Sequence, residues 1–394
     1  MKRRSFLAAG ASAPAVFSFQ PSDKIRLGII GFGSRGAYLF NEIRRANEPG
    51  MEVAAICDVY SKAREQGAAA VKKTYNIDAF LSSRFEEVLH RKDIDAVILS
   101  APDFTHSPML ERAMQAGKDA YCEKPMGTNL ADARKAYLAV KREPKRVVQI
   151  GTQRRSEPGL IACAREIQAG AIGKITRVDT QVHFQEPRWR RDHHMIQPSE
   201  VDWDAFTMGR FQKPFDARLF REWQLFPETT NGIPGLWMSH LVDLASWFLN
   251  EPYPKSAVAS GGVYLWKDGR DTCDVFHALL EYTDCLYGFG MSLTNSAGSR
   301  NEWYGTKGTL DGDRLVIMPR GSRAPDRVTE ERKIQPVAGV ESHMANWLRC
   351  LRSRQTPRAD IQSGFSHAVA GCMAAEALRA GRKVRFNTGT LDFA

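Results

Sequence analysis

The segment from Gly31 to Gly36 carries glycines at the spacing G-x-G-x-x-G, between a β-rich apolar run and a segment of helical character. The first glycine of such a turn allows the tight bend, the second lets a pyrophosphate approach the backbone, and the third lets the helix pack on the strand. The helix N-terminus would then stabilise the phosphate charge. The alternative is a tight turn that holds no ligand. The candidate cofactor-binding residues of this turn are Gly31, Phe32, Gly33, Ser34, Arg35 and Gly36.

Asp58 stands at the end of the second strand-like run, 22 residues after Gly36. A carboxylate there would accept hydrogen bonds from the adenosine ribose hydroxyls and repel a 2′-phosphate, which favours NAD over NADP. The neighbouring Ser61, Lys62 and Arg64 leave NADP as an alternative, because they could accommodate the phosphate. A second interpretation makes Asp58 the N-cap of the next helix, since aspartate is a preferred cap.

The elements that position these residues alternate between strand-like and helical runs over the first half of the chain. Strand-like runs such as MEVAAICDV (51–59) and DAVILSAP (95–102) are each followed by a helical segment. This alternation predicts an α/β fold with a parallel, doubly wound Rossmann sheet. From Lys174 onward, strand-length runs with period-two alternation predict an α+β domain with a mostly antiparallel, open sheet.

These patterns divide the chain into three parts. We interpret residues 1–22 as a targeting signal and linker, residues 23–150 as an NAD(P)-binding domain, and residues 151–394 as a substrate and oligomerisation domain. The tail from Glu341 to Ala380 is helical and ends at Gly381, which is a good C-terminal stop. We expect these last helices to pack back on the first domain.

Bulk composition excludes several classes of protein. The 394 residues are 43% hydrophobic and 25% charged, which is typical of a folded globular protein. Lys2, Arg3 and Arg4 account for three of the net charges of +10, and no nucleic-acid-binding signature accompanies the short basic stretch 188–194. The seven cysteines form no C-x-x-C pair, which argues against a disulfide framework or a metal site. No apolar run beyond the N-terminus is long enough to span a membrane.

The N-terminal residues have the pattern of a twin-arginine export signal. Arg3-Arg4 precede Phe6-Leu7 and a weakly apolar run of small residues, and Ala13-Pro14-Ala15 is a candidate cleavage site. The sequence therefore predicts export to the periplasm. The alternative is a basic tail on a cytoplasmic protein.

Further motifs give the chain a resemblance to a known family. Two loops that follow strand-like runs read PDFTH (102–106) and EKP (123–125), residues 173–175 read GKI, and residues 305–310 read GTKGTL. With the glycine turn, these resemble the landmarks of the Gfo/Idh/MocA family, which includes glucose-fructose oxidoreductase and inositol dehydrogenase, from Lys24 to Phe386. The resemblance implies an NAD(P)-dependent oxidoreductase acting on a sugar or another polyol. It also implies cofactor contacts at Pro102, His106, Glu123, Lys124 and Pro125.

The same resemblance implies two catalytic residues. Lys124 would reach the reacting hydroxyl and polarise its oxygen, beside a Pro125 that is often cis in relatives. His240 matches the general base of many relatives, and Asp243, three residues later on the same helical face, could orient its imidazole. The alternatives are a surface salt bridge between Lys124 and Glu123, and a buried, structural His240.

In one position the chain departs from the family pattern. Leu236 stands four residues before His240, where many relatives carry an aspartate, and leucine cannot accept a proton. The leading hypothesis is net hydride transfer between NAD(P) and a sugar hydroxyl carbon. The second is a glycosidase or lyase that oxidises the ring transiently, because the family's NAD-dependent glycosidases also lack that acid. The third is a sugar-binding protein without activity, and fold alone does not separate the three.

The segment from His183 to His194 is rich in aromatic and basic residues. Trp189 could stack on a sugar ring, and Arg190 could bind hydroxyls or carboxylates. The alternative is a solvated loop without function. His193 and His194 do not predict a metal site, since neighbouring side chains on an extended chain point apart.

Export and a dinucleotide site together predict a tightly bound cofactor, because a periplasmic enzyme has little NAD(P) to exchange with. We expect the partners to be a small sugar or glycoside and a second copy of the chain, docked through the open sheet. Neither a nucleic acid nor a membrane span is expected.

Overall fold

A computed structural model of the chain describes residues 24–189 and 191–394. The predicted export signal and Arg190 lie outside the described residues. Within them, no helix combines the length and apolar character that crossing a bilayer requires.

The first half of the chain forms a six-stranded sheet. Its strands are Ile25–Ile30 (β1), Met51–Cys57 (β2), Phe80–Ser82 (β3), Ala96–Leu99 (β4), Asp119–Cys122 (β5) and Val148–Ile150 (β6). All neighbours are parallel, in the order β3-β2-β1-β4-β5-β6. The chain thus winds outward from β1 in both directions, which confirms the doubly wound Rossmann sheet.

Helices cover both faces of this sheet, because its strands are apolar on both sides and need cover on each. All four residues of β4, for example, are buried. The helices are Ser34–Ala46 (α1), Ser61–Tyr75 (α2), Phe85–His90 (α3), His106–Gln115 (α4) and Leu130–Arg142 (α5). Local signals fix their ends: Asn47 closes α1 in a left-handed conformation, and the Asn129 side chain caps α5 by accepting from the Asp132 backbone N–H.

The second half contains a ten-stranded sheet that is antiparallel except for one parallel pair, β7 with β10. The strands are Ile175–His183 (β7), Ser256–Gly262 (β8), Val275–Glu281 (β9), Leu286–Ser292 (β10), Arg300–Gly305 (β11), Thr309–Asp311 (β12), Val316–Met318 (β13), Arg332–Lys333 (β14), Val384–Asn387 (β15) and Asp392–Phe393 (β16). Their order is β14-β13-β12-β11-β7-β10-β9-β8-β15-β16. The mostly antiparallel sheet is as predicted.

One face of this sheet is covered by helices and the other is exposed. Along β9 the buried Phe276, Ala278 and Leu280 alternate with the exposed His277 and Leu279. The helices of this half are Pro158–Gln168 (α6), Trp203–Thr207 (α7), Ala217–Arg221 (α8), Gly232–Phe248 (α9), His343–Ser353 (α10) and Ile361–Ala380 (α11).

Helix α10 completes the core of the first domain. Trp347 is fully buried in a cluster with residues of β1, β2 and β4, and its ring lies 5.6 Å from that of Tyr121, centroid to centroid. Helix α11 packs on α9 and on α5. The two halves therefore share a continuous set of contacts.

A segment of the second half also crosses back over the first sheet. This crossing segment, residues 198–225, contains α7, α8 and two short 3₁₀ helices. The Asp202 backbone N–H donates to the Val59 carbonyl at 2.9 Å, and Tyr60 forms an antiparallel bridge with Val201. The segment thus lies beside the carboxyl end of β2, where Asp58 stands.

Candidate active site

The three glycines of the first turn differ in how much space surrounds them. Gly31 has φ of +91°, and a Cβ on it would lie 2.5 Å from the Ala101 nitrogen. A Cβ on Gly36 would collide with the Gly31 carbonyl oxygen. At Gly33, by contrast, no described atom lies within 4 Å of the Cβ position. Packing therefore explains Gly31 and Gly36, whereas the space above Gly33 is open to a ligand.

Asp58 is bound to the glycine turn. Its carboxylate accepts from the Phe32 backbone N–H at 2.7 Å and from the Tyr60 N–H at 2.9 Å. Burial raises the pKa of Asp58 to about 6, against the effect of these two hydrogen bonds. Helix α2 begins after Tyr60 and has no side-chain cap, so the interpretation of Asp58 as an N-cap is wrong. The Phe32 side chain lies in the core, and its backbone alone faces the turn.

A cavity of about 270 Å³ lies between the glycine turn and the crossing segment. Gly33, Ser34, Asp58 and Pro102 line one side, and the crossing segment lines the other. Helix α1 starts at this cavity, and none of the side chains that the structure describes caps its first N–H groups. The open position above Gly33, these N–H groups and the Asp58 carboxylate fit a dinucleotide, with the helix end at its phosphates and Asp58 at a ribose.

Arg35 and Glu123 bind each other. The Arg35 guanidinium lies 2.7 Å from the Glu123 carboxylate, whose side chain is 4% exposed. A Cβ on Gly151 would lie 2.8 Å from the same carboxylate, so glycine is needed there to leave room for it. The ion pair joins the glycine turn to the EKP loop. Glu123 therefore holds Arg35 in place, and its direct contact with the cofactor stays a prediction.

His106 also joins two loops rather than facing the cavity. The buried ring places Nδ1 2.8 Å from the Pro125 carbonyl oxygen and Nε2 2.8 Å from the Ala101 carbonyl oxygen. The ring thereby connects the loop that follows β4 to the loop that carries Lys124. The cofactor contact of His106 stays a prediction.

Lys124 follows β5 and precedes a cis peptide bond to Pro125. Its ammonium Nζ donates to the Leu236 carbonyl oxygen at 3.3 Å. Burial lowers the pKa of Lys124, because the charged form is desolvated. Since Glu123 pairs with Arg35 and Lys124 is partly buried, the alternative of a surface salt bridge is wrong. Leu236 lacks the family carboxylate, but its backbone still anchors the lysine.

His240 lies one helical turn after Leu236, on α9. Its Nδ1 is buried without a hydrogen-bond partner among the described residues. Burial lowers the pKa of His240 well below its usual value, and the charges of Lys124 and Arg154 add to the effect. The imidazole is therefore neutral at pH 7 and able to accept a proton.

Asp243 does not orient His240, and that prediction is wrong. Its fully buried carboxylate accepts from Arg155 Nε and Nη2 at 2.9–3.0 Å. This bidentate pair ties α9 to the start of the second domain.

Two residues of the site were not predicted. Asp103 is 1% exposed, accepts from Thr230 Oγ1 at 3.0 Å, and lies close enough to Lys124 for their charges to interact. Burial raises the pKa of Asp103 to about 7. Trp237 forms an aromatic wall, with its ring centroid 6.3 Å from that of His240 and 5.8 Å from that of Phe184. Asp103 lies in the PDFTH motif, which indicated the family but gave no role for the aspartate. Trp237 lies in an apolar helix, where its sequence does not distinguish it from a core residue.

Trp189 lies in the loop before the crossing segment, and its stacking on a sugar ring stays a prediction. The Trp189 ring packs beside Trp266, at 5.9 Å between centroids, while Trp237 is the tryptophan beside His240. The described residues hold no group of His, Cys, Asp or Glu side chains arranged to bind a metal ion.

The fold and the site together define a dinucleotide-binding oxidoreductase. Residues 25–152 match the family description "Oxidoreductase family, NAD-binding Rossmann fold", and residues 164–386 match "Oxidoreductase family, C-terminal alpha/beta domain". The chain belongs to this family, the Gfo/Idh/MocA oxidoreductases.

Similar proteins carry several names. An inositol 2-dehydrogenase of Salmonella paratyphi B is 29% identical over 231 residues, which are 58% of this chain and 56% of that protein, so the chain spans about half the length of that relative. A glycosyl hydrolase family 109 protein of Stenotrophomonas maltophilia is 37% identical over 145 residues, 34% of this chain and 31% of that protein. The aldose-aldose oxidoreductase from Caulobacter crescentus, complexed with glycerol, has a TM-score of 0.67 at 19% identity, with 92% of this chain and 100% of that chain covered. The last likeness concerns the fold alone.

Proposed function

We propose that the protein is an NAD(P)-dependent oxidoreductase that acts on a hydroxyl-bearing carbon of a sugar or polyol. The observation that carries the proposal is the position of Lys124 beside α9, where its ammonium donates to the Leu236 carbonyl one helical turn before His240. The inositol 2-dehydrogenase among its relatives supports a polyol substrate.

The two residues supply complementary chemistry. His240, neutral because of its lowered pKa, takes the proton of the substrate hydroxyl as the O–H bond breaks. Lys124 donates a hydrogen bond to the same oxygen and stabilises its negative charge while the carbonyl forms. When bound, the nicotinamide ring accepts the hydrogen of the carbinol carbon together with its electron pair. The substrate thus loses two electrons and two hydrogens.

A substrate panel tests this function. Purified protein that carries its dinucleotide is mixed with inositols, aldoses and glycosides, and absorbance at the wavelength of reduced nicotinamide is followed over one turnover. The expected result is that at least one polyol class reduces the bound dinucleotide and yields one carbonyl product per dinucleotide. Binding without reduction of the dinucleotide across the panel would reject the function and leave a sugar-binding protein without activity as the remaining interpretation.

A second candidate function is glycoside cleavage without net redox change. Leu236 at the position of the usual acid and the glycosyl hydrolase family 109 relative favour it. Oxidation of a ring carbon acidifies the neighbouring C–H, an aglycone leaves by elimination, water adds, and return of the hydrogen restores the ring. Product analysis separates the two candidates, because this one releases an aglycone and leaves the dinucleotide in its starting oxidation state.

We also propose that the cofactor is NAD and that it is held tightly. The Asp58 carboxylate beside the glycine turn disfavours a 2′-phosphate. The crossing segment covers the cavity from the other side. Titration of cofactor-free protein with NADH and NADPH tests the preference, and equal affinity for the two would contradict it.

Export by the twin-arginine route remains a proposal supported by Arg3 and Arg4. Replacing both with lysine should retain the precursor in the cytoplasm, and unchanged periplasmic yield would contradict the proposal.

Assembly through the open sheet is likewise proposed. Val258, Leu279 and Leu286 place apolar side chains 36–46% exposed on its uncovered face, where Val258 and Leu279 are cross-strand neighbours. Leu279→Arg should dissociate the oligomer in light scattering, while Leu81→Arg, on the first sheet, should not. A wild-type monomer would contradict the proposal.

A further inference from the structure

The loop after β5 has its backbone bonded to side chains rather than to a neighbouring strand. His106 Nδ1 lies 2.8 Å from the Pro125 carbonyl oxygen. The Met126 N–H donates to His367 Nε2 at 2.9 Å, and the Met126 carbonyl oxygen accepts from Ser107 Oγ at 2.7 Å. Because proline has no N–H, these three bonds engage every backbone N–H and carbonyl group of the two residues.

This part of the loop is fully enclosed. His106, Ser107 and His367 are 1–3% exposed, and Met126 is 0% exposed. Water cannot replace a lost partner at such a position, and a buried backbone group without a partner costs free energy. The loop is therefore most stable where the three side chains meet it.

One of the three side chains comes from the other half of the chain. His106 and Ser107 begin α4 of the first domain, whereas His367 lies on α11, 241 positions after Met126. Helix α11 approaches the loop closely at Gly364, where a Cβ would lie 2.8 Å from Met126 Sδ. His367 thus connects a helix of the second domain to the backbone two residues after the predicted catalytic lysine.

The His367 ring accepts the hydrogen bond only in its neutral form, because an imidazolium has no free lone pair on nitrogen. Burial lowers the pKa of His367 to about 3, so the ring is neutral throughout the usual assay range. Its proton is then on Nδ1. A glutamine side chain can present an acceptor oxygen near the position of Nε2, whereas leucine fills similar space without one.

We propose that His367 is a positioning residue for Lys124, which it holds through the Met126 backbone so that the ammonium reaches the Leu236 carbonyl oxygen. Only the kinetic part of this inference rests on the proposed function. A lysine side chain is flexible, so its backbone must be fixed before its ammonium can be placed accurately. Since α9 and α11 pack on each other, the lysine is connected to the same pair of helices at its backbone and at its ammonium.

Two measurements on the NADH-bound full chain test this positioning without a substrate. Amide hydrogen exchange of residues 124–128 reports on the Met126 N–H, and acetylation by acetic anhydride, followed by mass spectrometry, reports on the exposure of the Lys124 ammonium. His367→Leu should accelerate both by about fivefold to tenfold, the effect of losing one hydrogen bond. His367→Gln retains an acceptor and should stay within about twofold of wild type in both.

The kinetic test uses the member of the polyol panel that reduces the bound dinucleotide fastest. His367→Leu should lower kcat by about tenfold to a hundredfold, the scale of a misplaced catalytic group, while KM and the dissociation constant of NADH stay within about twofold. In the Lys124→Ala background the same change should lower the residual rate by less than about twofold, because a residue that acts through Lys124 then has nothing to position.

Two further variants separate positioning from general stability. Val369→Ala, at a buried position about 160° round α11 from His367, removes packing and should leave exchange and acetylation unchanged. Ser107→Ala removes the other bond to Met126 with little change in volume, and it should accelerate both reactions as His367→Leu does. This second variant keeps the proposal testable if His367→Leu does not fold.

The outcomes are distinguishable. Wild-type exchange and acetylation in His367→Leu, or in Ser107→Ala if the first variant does not fold, would overturn the inference, and so would equal acceleration in His367→Gln and His367→Leu. A loss of rate that is the same with and without Lys124 would overturn action through the lysine and leave the oxidoreductase function intact. If no polyol reduces the dinucleotide, the proposed function fails, while exchange and acetylation still decide whether His367 positions Lys124.

Discussion

Lys124 and His240 reach the site from partly buried positions, and desolvation lowers the pKa of both because each is a cation when protonated. The consequence is a histidine that is neutral at the working pH and a lysine whose proton is easier to lose than in water. These are suitable properties for a base and for a hydrogen-bond donor to a forming carbonyl.

Removal of either side chain should slow turnover. Lys124→Ala and His240→Ala are each expected to reduce kcat by about a hundredfold or more, the usual range for a positioned acid–base group. Single-turnover reduction of the bound dinucleotide measures this directly. His90→Ala, at the exposed end of α3, is the matched control. Near-native rates in both site variants would show that the catalytic assignment is wrong.

Asp103 should give the reaction a pH dependence near neutrality. As the pH rises through its pKa of about 7, the carboxyl gains a negative charge near Lys124 and stabilises the ammonium. We expect the wild-type kcat to rise across this range, and Asp103→Asn to lose the inflection while keeping kcat within about tenfold.

The measurement is kcat between pH 5.5 and 8.5. Asp78→Asn, whose carboxylate is 89% exposed, is the control and should keep the wild-type profile. An inflection that persists in Asp103→Asn belongs to another group.

Residue types and spacing predicted much of this site, but not its pairings. Gly33 and Asp58 lie at the cavity, where the motif indicated. The partner of Asp243 is Arg155, 88 positions away in the sequence, and local spacing suggested His240 instead. In the same way, the type of residue at Leu236 does not predict that its backbone carbonyl accepts a hydrogen bond from Lys124.

Among the elements, the regular ones could be predicted and the short ones could not. Alternation of apolar runs indicated the parallel sheet, and period-two patterns indicated the antiparallel one. The crossing segment escaped prediction because α7 and α8 have five residues each, too few to display a helical period. Its position depends on contacts with Val59, Tyr60 and Ser83, which no local pattern encodes.

The crossing segment should control how long the cofactor stays bound. Asp202 fastens it to the first domain by accepting from Ser83 Oγ at 2.7 Å, and it also caps α7. Asp202→Asn should raise the dissociation rate of NADH by about tenfold, since one to two kcal/mol is the usual effect of losing such hydrogen bonds. Stopped-flow displacement measures the rate. Asp204→Asn, exposed on the same helix, is the control, and equal rates in the two variants would contradict the role of Asp202.

The attachment of α10 should weaken in acid. His343 on α10 bonds through Nδ1 to Ser156 Oγ and through Nε2 to the Ile150 carbonyl oxygen, and burial lowers its pKa to about 4. Between pH 6.5 and 4 the unfolded chain therefore binds a proton at this residue that the folded chain does not, so the contribution of His343 to stability falls with the pH.

The variant His343→Phe tests this dependence. At pH 7 it should lose about 2 kcal/mol of unfolding free energy, because it leaves buried polar groups without a partner. The difference from wild type should narrow as the pH approaches 4. Urea unfolding at several pH values measures it, with His90→Phe as the control. A difference that is constant with pH would contradict the assignment.

At the scale of the whole molecule, the proposed export and the dinucleotide-binding fold together predict where the cofactor is loaded and regenerated. A protein exported in folded form carries its dinucleotide with it and regenerates it in place. Desalted protein from the periplasm should therefore release close to one dinucleotide per chain on denaturation, and substrate should reduce it in one turnover without added NAD. Cofactor-free protein that turns over continuously on added NAD would contradict this prediction.

Trp347 packs against strands that are synthesised long before it. It is 0% exposed and packs against strands that begin at Ile25, so the core of the first domain is closed by a side chain more than 300 positions later. During synthesis, the Rossmann half leaves the ribosome with that apolar patch uncovered until α10 has emerged. A chain that terminates before residue 343 would keep the patch exposed to chaperones and proteases. Completion of translation is thus a condition for a finished dinucleotide domain, although its sheet is encoded first.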